Sequence, residues 1–144
     1  MPHILYLEDQ RERKRVFGIH GTKTTNKKDI RELGRNDEKR LYELRAYLRS
    51  NTLKTGREFY VAAMLLQHGK KPAHYKKAHM YANASAKLGY TPALWLTAAT
   101  LDRYLKSLGR QQKYGTQFYQ DGKNHWKIWP YLKNTTDEER KKTA

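Results

Sequence analysis

Residues 59–66 read FYVAAMLL, a run that is apolar on every side. A strand of this length is conceivable, but Ala62, Ala63, Met64, Leu65 and Leu66 favour helix, and Gly69 follows where a helix is expected to stop. A helix apolar all round has to be enclosed by others. The rest of the chain is therefore expected to wrap this central helix with amphipathic ones.

The sequence supplies them. Ile4–Arg15 suits a first helix, with a short apolar start and a charged end. Residues 16–35, with two glycines and several turn formers in Val16–Asp29, read as a flexible loop. Asn36 or Asp37 is placed to cap a second helix, whose Leu41, Leu44, Tyr47 and Leu48 repeat at helical spacing. Ala73–Leu88 forms a fourth helix, stopped by Gly89. Thr91 and Pro92 are the expected cap and first turn of a fifth, running to Leu108. Residues 110–134 read as a loop plus a β-hairpin turning at Asp121-Gly122. Thr135 or Thr136 then caps a short last helix, with Glu138 and Glu139 in its first turn. The expected fold is all-α, a single domain over 1–144. It has about five main helices around a helical-hairpin core, and a small C-terminal β-hairpin covering one end.

Charge bears on partners. Thirty Lys and Arg against fourteen Asp and Glu give a net charge of +16. Such a field favours polyanions, so nucleic acid is a candidate partner. The basic residues are spread along the chain, and no RNP aromatic string, GXXG loop or zinc finger occurs. No stretch approaches the roughly 20 apolar residues of a membrane span. The opening MPHILYLEDQ does not read as a signal peptide, so the expected location is cytoplasmic. With no cysteine, disulfides, thiolate metal sites and a cysteine nucleophile are excluded. His68, His74 and His79 have no ordinary zinc spacing, and no phosphate loop is present; neither metal nor cofactor is expected.

The polar residues that ask for an explanation follow the fifth helix. On a wheel, Asp102 and Arg103 point in different directions on a helix that is otherwise mostly apolar. A buried charge has to be paired and hydrogen-bonded, so each needs its own partner. The adjoining Gln112, Tyr114, Gly115, Thr116 and Gln117 offer donors and acceptors. Asp102 and Arg103 either staple this loop to the helical body or line a pocket; the sequence leaves both open. Gln67 and His68 end the central helix, where His68 is either a satisfied structural residue or an acid–base group. If His68, Asp102 and Tyr114 share one cleft, they form a candidate catalytic trio. Gln67, Arg103, Gln112, Gly115, Thr116 and Gln117 would then bind the ligand.

AAMLLQHG followed by LDRYLKSLGRQQKYGTQF resembles a family of small bacterial proteins catalogued as a domain of unknown function. Its pattern is Gln-His, then Asp-Arg, then Gly-x-x-Gln-x-Tyr-Gly-Thr-Gln. These fall here on Gln67 and His68, Asp102 and Arg103, then Gly109, Gln112, Tyr114, Gly115, Thr116 and Gln117. Asp9, Gln10 and Arg13 resemble its opening, Asp37 its second segment, and DEERKK its closing arginines. The chain departs from the pattern at Gly69, where alanine is expected, and at Lys70-Lys71, near which an acidic residue is usual. Locally, YANASAKLGYTPALWLTAATL resembles a Sel1-type or tetratricopeptide-like helical pair. The family resemblance implies a polar site rather than a particular reaction. The expected function is a polar pocket that binds, or binds and acts on, a small polar or anionic ligand. The alternatives are a basic nucleic-acid-associated protein with a purely structural polar cluster, and a helical protein-interaction adaptor.

Overall fold

A computed structural model describes residues 1–19, 25–123 and 125–144. Its main elements are α1 (Pro2–Phe17), α2 (Lys27–Ser50), α3 (Gly56–Leu66), α4 (Pro72–Lys87) and α5 (Ala93–Ser107). After them come β1 (Phe118–Gln120), β2 (Trp126–Ile128) and the short α6 (Asp137–Lys141). The chain is mostly helical with a two-stranded antiparallel sheet, as the apolar periodicity requires. Among the described residues, no helix is long and apolar enough to cross a membrane.

α3 is the enclosed helix. Val61, Ala62, Ala63, Leu65 and Leu66 are all buried, and α1, α2, α4 and α5 each pack on it. Its start is fixed by a capping box: the Thr55 hydroxyl accepts from the Glu58 amide at 3.2 Å, and the Glu58 carboxylate accepts from the Thr55 amide at 2.8 Å. Leu5 of α1, Leu41 and Leu44 of α2 and Ala78 of α4 complete the main core around it. A second cluster joins Ala63, Ala82 and Leu96 of α3, α4 and α5. Small residues on these three helices bring their backbones close. Ser85, fully buried, donates to the Gly56 carbonyl at 2.6 Å.

Two helix caps differ from expectation and a third falls on one of its two expected residues. α2 begins nine residues before Asn36, at Lys27, so only part of 16–35 is a loop; residues 20–24, with His20, lie outside the described residues. Asn26 is the cap, its side chain accepting from the Asp29 amide at 2.8 Å. Asp37 lies inside the helix, where it is an ion-pair partner instead. α5 is capped by Pro92 without a side-chain hydrogen bond, and Thr91 contributes its carbonyl to the Leu94 amide. Of the two candidate caps for α6, Thr136 serves, in a second capping box with Glu139.

The hairpin does not cover the helices in the way expected. Its strands pair with each other in the register Phe118↔Ile128, Tyr119↔Lys127, Gln120↔Trp126, and no helix backbone packs on them. It is tied on through its flanks: Trp129 stacks near Tyr119 at 4.6 Å, and the Lys106 ammonium sits 4.3 Å from the Trp129 ring.

Gly69 sits at the α3–α4 turn. A Cβ there would lie 2.1 Å from Nδ1 and 2.6 Å from Cβ of His74, whose ring occupies the space. His74 in turn contacts the Arg45 guanidinium.

Candidate functional site

Helix α1 faces the core with Leu5, Asp9 and Val16. The middle member of this stripe is a carboxylate, and it is fully buried. On α2 the corresponding stripe of Leu33, Leu41 and Leu44 includes Arg40. Where the two stripes meet, the charges satisfy one another. Asp9 accepts from Arg13 Nε at 2.9 Å and from Gln10 Nε2 at 2.9 Å. Arg13 Nη2 reaches both Asp37 oxygens, at 2.8 and 2.9 Å. Arg40 pairs with Asp37 at 2.8 Å and with Glu12 at 2.8 Å, and lies 3.6 Å from Asp9. Asn36 donates to the other Glu12 oxygen at 2.6 Å. Burial raises the Asp9 pKa above the usual carboxylate range, against the opposing pull of Arg13 and Arg40.

His68 faces this network. Its Nε2 lies 3.6 Å from Asp9 Oδ2 and makes no hydrogen bond. Burial first, then Arg13, Arg103 and Arg40, hold the imidazole well below its ordinary pKa. One nearby carboxylate, already engaged by Arg13, does not outweigh burial and three guanidinium groups, so His68 is neutral at pH 7. Arg103 arrives from α5. Its Nη1 donates to the Gln67 carbonyl at 3.0 Å, while Nε is buried without a partner. Among the described residues, no carboxylate lies within ion-pair distance of Arg103, and burial lowers its pKa. Gln10 and Arg13 also line an open groove of about 460 Å³ with Lys14, Phe17, Gly18 and Ile19.

Asp102 has a different role. It is fully buried, and all four of its hydrogen bonds run to the loop after α5. Oδ1 accepts from the amides of Lys113 at 2.7 Å and Tyr114 at 2.9 Å. Oδ2 accepts from the Thr116 amide at 2.9 Å and hydroxyl at 2.8 Å. These contacts fill the acceptor positions a carboxylate has to offer. Gln112 is equally committed: it accepts from the Gln117 amide at 2.9 Å and donates to the carbonyls of Gln117 at 3.1 Å and Trp129 at 2.8 Å. Gln117 donates to Thr116 Oγ1 at 3.0 Å. Gly115 takes φ 79°, a left-handed turn that glycine adopts without strain. The Tyr114 carbonyl accepts from Arg140, and Thr135 donates to the Lys113 carbonyl at 2.6 Å.

The residues expected in one cleft thus divide into two groups. His68 lies beside Asp9, and Arg103 reaches the Gln67 carbonyl next to it in the chain. Asp102, Gln112, Tyr114, Gly115, Thr116 and Gln117 form a fastened loop. Among the described residues, no hydrogen bond or ion pair joins His68 to Asp102 or Tyr114: His68 has Asp9 at 3.6 Å, and the acceptors of Asp102 are taken by the loop. Among the described residues, the Gln67 side chain donates only to Met64 sulfur, at 3.1 Å; its backbone carbonyl, not its side-chain amide, is what meets Arg103. Consecutive residues on a helix diverge by about 100°, which is why Asp102 and Arg103 serve different sites. Asp9, Gln10 and Arg13 entered the sequence reading only through a resemblance, Asp37 through that and as a candidate helix cap, and Glu12 and Arg40 not at all.

A pH dependence follows from His68. Its folded pKa lies below the unfolded value of about 6.5, so on acidification the unfolded chain takes up a proton that the folded chain refuses. Stability is intact above that value and falls as pH drops below it, by up to about 1.4 kcal/mol per pH unit for this group. His74 and His79, also lowered by burial, add in the same sense. Urea unfolding at pH 7.5, 6.5 and 5.5 is expected to show this loss, and His68→Gln to reduce the slope by one proton's worth.

The fold and its two polar clusters define a class: a helical protein with an appended hairpin, carrying one saturated staple and one buried charged cluster in which, among the described residues, Arg103 has no carboxylate within ion-pair distance. The chain matches no protein-family profile, no curated protein and no solved structure.

Proposed function

We propose that the polar cluster of Arg103, His68 and Asp9, reached from the groove that Gln10 and Arg13 line, binds a small polar anion, a carboxylate or phosphate. The observation that carries this reading is Arg103: a largely buried guanidinium with one carbonyl partner, an unbonded Nε and no carboxylate, beside a neutral His68 whose Nε2 is also unbonded. A charge in such a place costs several kcal/mol unless something compensates it. An anion seated there offsets that cost. Arg103 supplies charge and a planar fork of donors, and His68 supplies a directional hydrogen bond. Asp9 and the Arg13–Asp37 pair hold the surroundings in place. This is a reading of binding, since Asp102 of α5 is spent on fastening the loop that carries Tyr114.

The test uses inorganic phosphate and malonate as probes. Thermal stability of the wild type is expected to rise with either probe, by about 2.7 kcal/mol at one hundred times Kd. The imidazole nitrogen resonances of His68 are expected to shift along the same titration. Arg103→Gln removes both responses, and Arg49→Gln, an equal charge loss on exposed α2, leaves them. Retention of the His68 shift in Arg103→Gln contradicts the reading.

A further inference from the structure

We propose that the outer face of α2 is a docking surface for single-stranded nucleic acid. At about 100° per residue, Lys28, Arg31, Arg35, Lys39, Tyr42 and Arg49 fall within roughly 80° of the helix circumference. All six are exposed, and no acidic residue lies within that arc. Lys28 and Arg49 are about 31 Å apart along the axis at about 1.5 Å per residue. Among the described residues, Lys28, Arg31, Arg35 and Arg49 form no ion pair, and Lys39 has only Glu43 at 3.9 Å. Three of the five acids of α2 are engaged elsewhere: Asp29 faces Arg15, Asp37 faces Arg13 and Arg40, and Glu38 takes Lys70, while Glu32 and Glu43 flank the row outside its arc. The result is a straight row of cations along one helix, with only Lys39 near a carboxylate among the described residues.

The chemistry of the face selects the partner. A row of unneutralised cations is complementary to a phosphate backbone and binds it by releasing counterions. Tyr42, 69% exposed in the middle of the row, offers an aromatic ring to an unpaired base. A membrane surface fits less well. An interfacial helix needs an apolar face for the lipid, and the leucines of α2 are buried in the protein core. The surface is separate from the Arg103 cluster and does not depend on what binds there.

The experiment is fluorescence anisotropy of the full chain with a labelled single-stranded 20-mer, the matching duplex, and phosphatidylserine-containing vesicles, between about 50 and 300 mM salt. Single-stranded binding is expected to weaken steeply with salt. The variant Arg31→Gln/Arg35→Gln/Lys39→Gln/Arg49→Gln should flatten the slope of log Kd against log salt by about 3, from four lost contacts at about 0.7 each. A control of equal net charge, Lys76→Gln/Lys77→Gln/Lys87→Gln/Lys133→Gln, should keep the wild-type slope. Tyr42→Ala should weaken the single strand about fivefold or more and leave the duplex unchanged. The proposal is overturned if the control loses as much as the α2 variant, or if vesicles bind and the oligonucleotide does not. It is equally overturned if the duplex binds as tightly as the single strand and Tyr42→Ala changes neither.

Discussion

Asp102→Asn is expected to lower stability by about 3 kcal/mol while leaving the helices assembled. The substitution preserves shape and removes acceptors. Both carboxylate oxygens of Asp102 receive backbone N–H groups, from Lys113 and Tyr114 on one side and Thr116 on the other. An asparagine turns an NH2 group toward one of these sides whichever way it is rotated, so at least one amide loses its acceptor and meets a donor. Hydrogen bonds to a charged group contribute about 1.5–3 kcal/mol each, and a buried donor left unsatisfied carries its full desolvation cost. The loss should appear in urea unfolding, and amide exchange should accelerate first at Lys113, Tyr114 and Thr116. A loss below about 1 kcal/mol would show that the loop is fastened by something else. Arg103 is untouched by this change, so phosphate should still shift His68. That separates the staple from the Arg103 cluster in one variant.

Removing the Asp9 carboxylate is the second large change. Asp9→Leu is expected to cost about 3–5 kcal/mol, the usual consequence of stripping one partner from a buried ion pair. Arg13 Nε and Gln10 lose their acceptor, and three arginines face His68 without their central carboxylate. The double variant Asp9→Leu/Arg13→Met is expected to recover most of the loss, because two apolar side chains of similar bulk replace the pair. Asp37 tolerates the exchange, since Arg40 remains 2.8 Å away. Urea midpoints of the single and double variants decide the matter. If the double variant is as unstable as the single, the loss comes from the Arg13–Asp37 link between α1 and α2 and not from a stranded Arg13.

These expectations also mark how far the sequence could be read. α3 was legible because a helix apolar on all sides has few alternatives, and Gly69 ended the run. The start of α2 was not. Gly34 and the polar run before it resemble a loop, and a glycine costs a helix interior about 1 kcal/mol. Burial of Leu33, Leu41 and Leu44 along one side offsets that, which is a tertiary effect that local propensity does not contain. The divergence of Asp102 and Arg103 was legible from the wheel, as was their need for different partners. Their actual partners were not, because Gln67 and Lys113–Thr116 lie on opposite sides of α5 in sequence. The placement of His68 against Asp9 could have been approached from one signal: a carboxylate between Leu5 and Val16, and an arginine beside Leu41, stand where an amphipathic stripe calls for apolar residues. Two charges out of pattern on neighbouring helices imply that they meet.

The imidazole lodged where Gly69 has no side chain couples two sites that sequence comparison would treat as independent. Any lineage that gains an alanine at 69 has to shrink or retract residue 74 at nearly the same time, and one that keeps histidine at 74 is confined to glycine at 69. Substitutions at the two positions should therefore be inherited jointly, and grafting either residue alone into a relative should fail where grafting both succeeds.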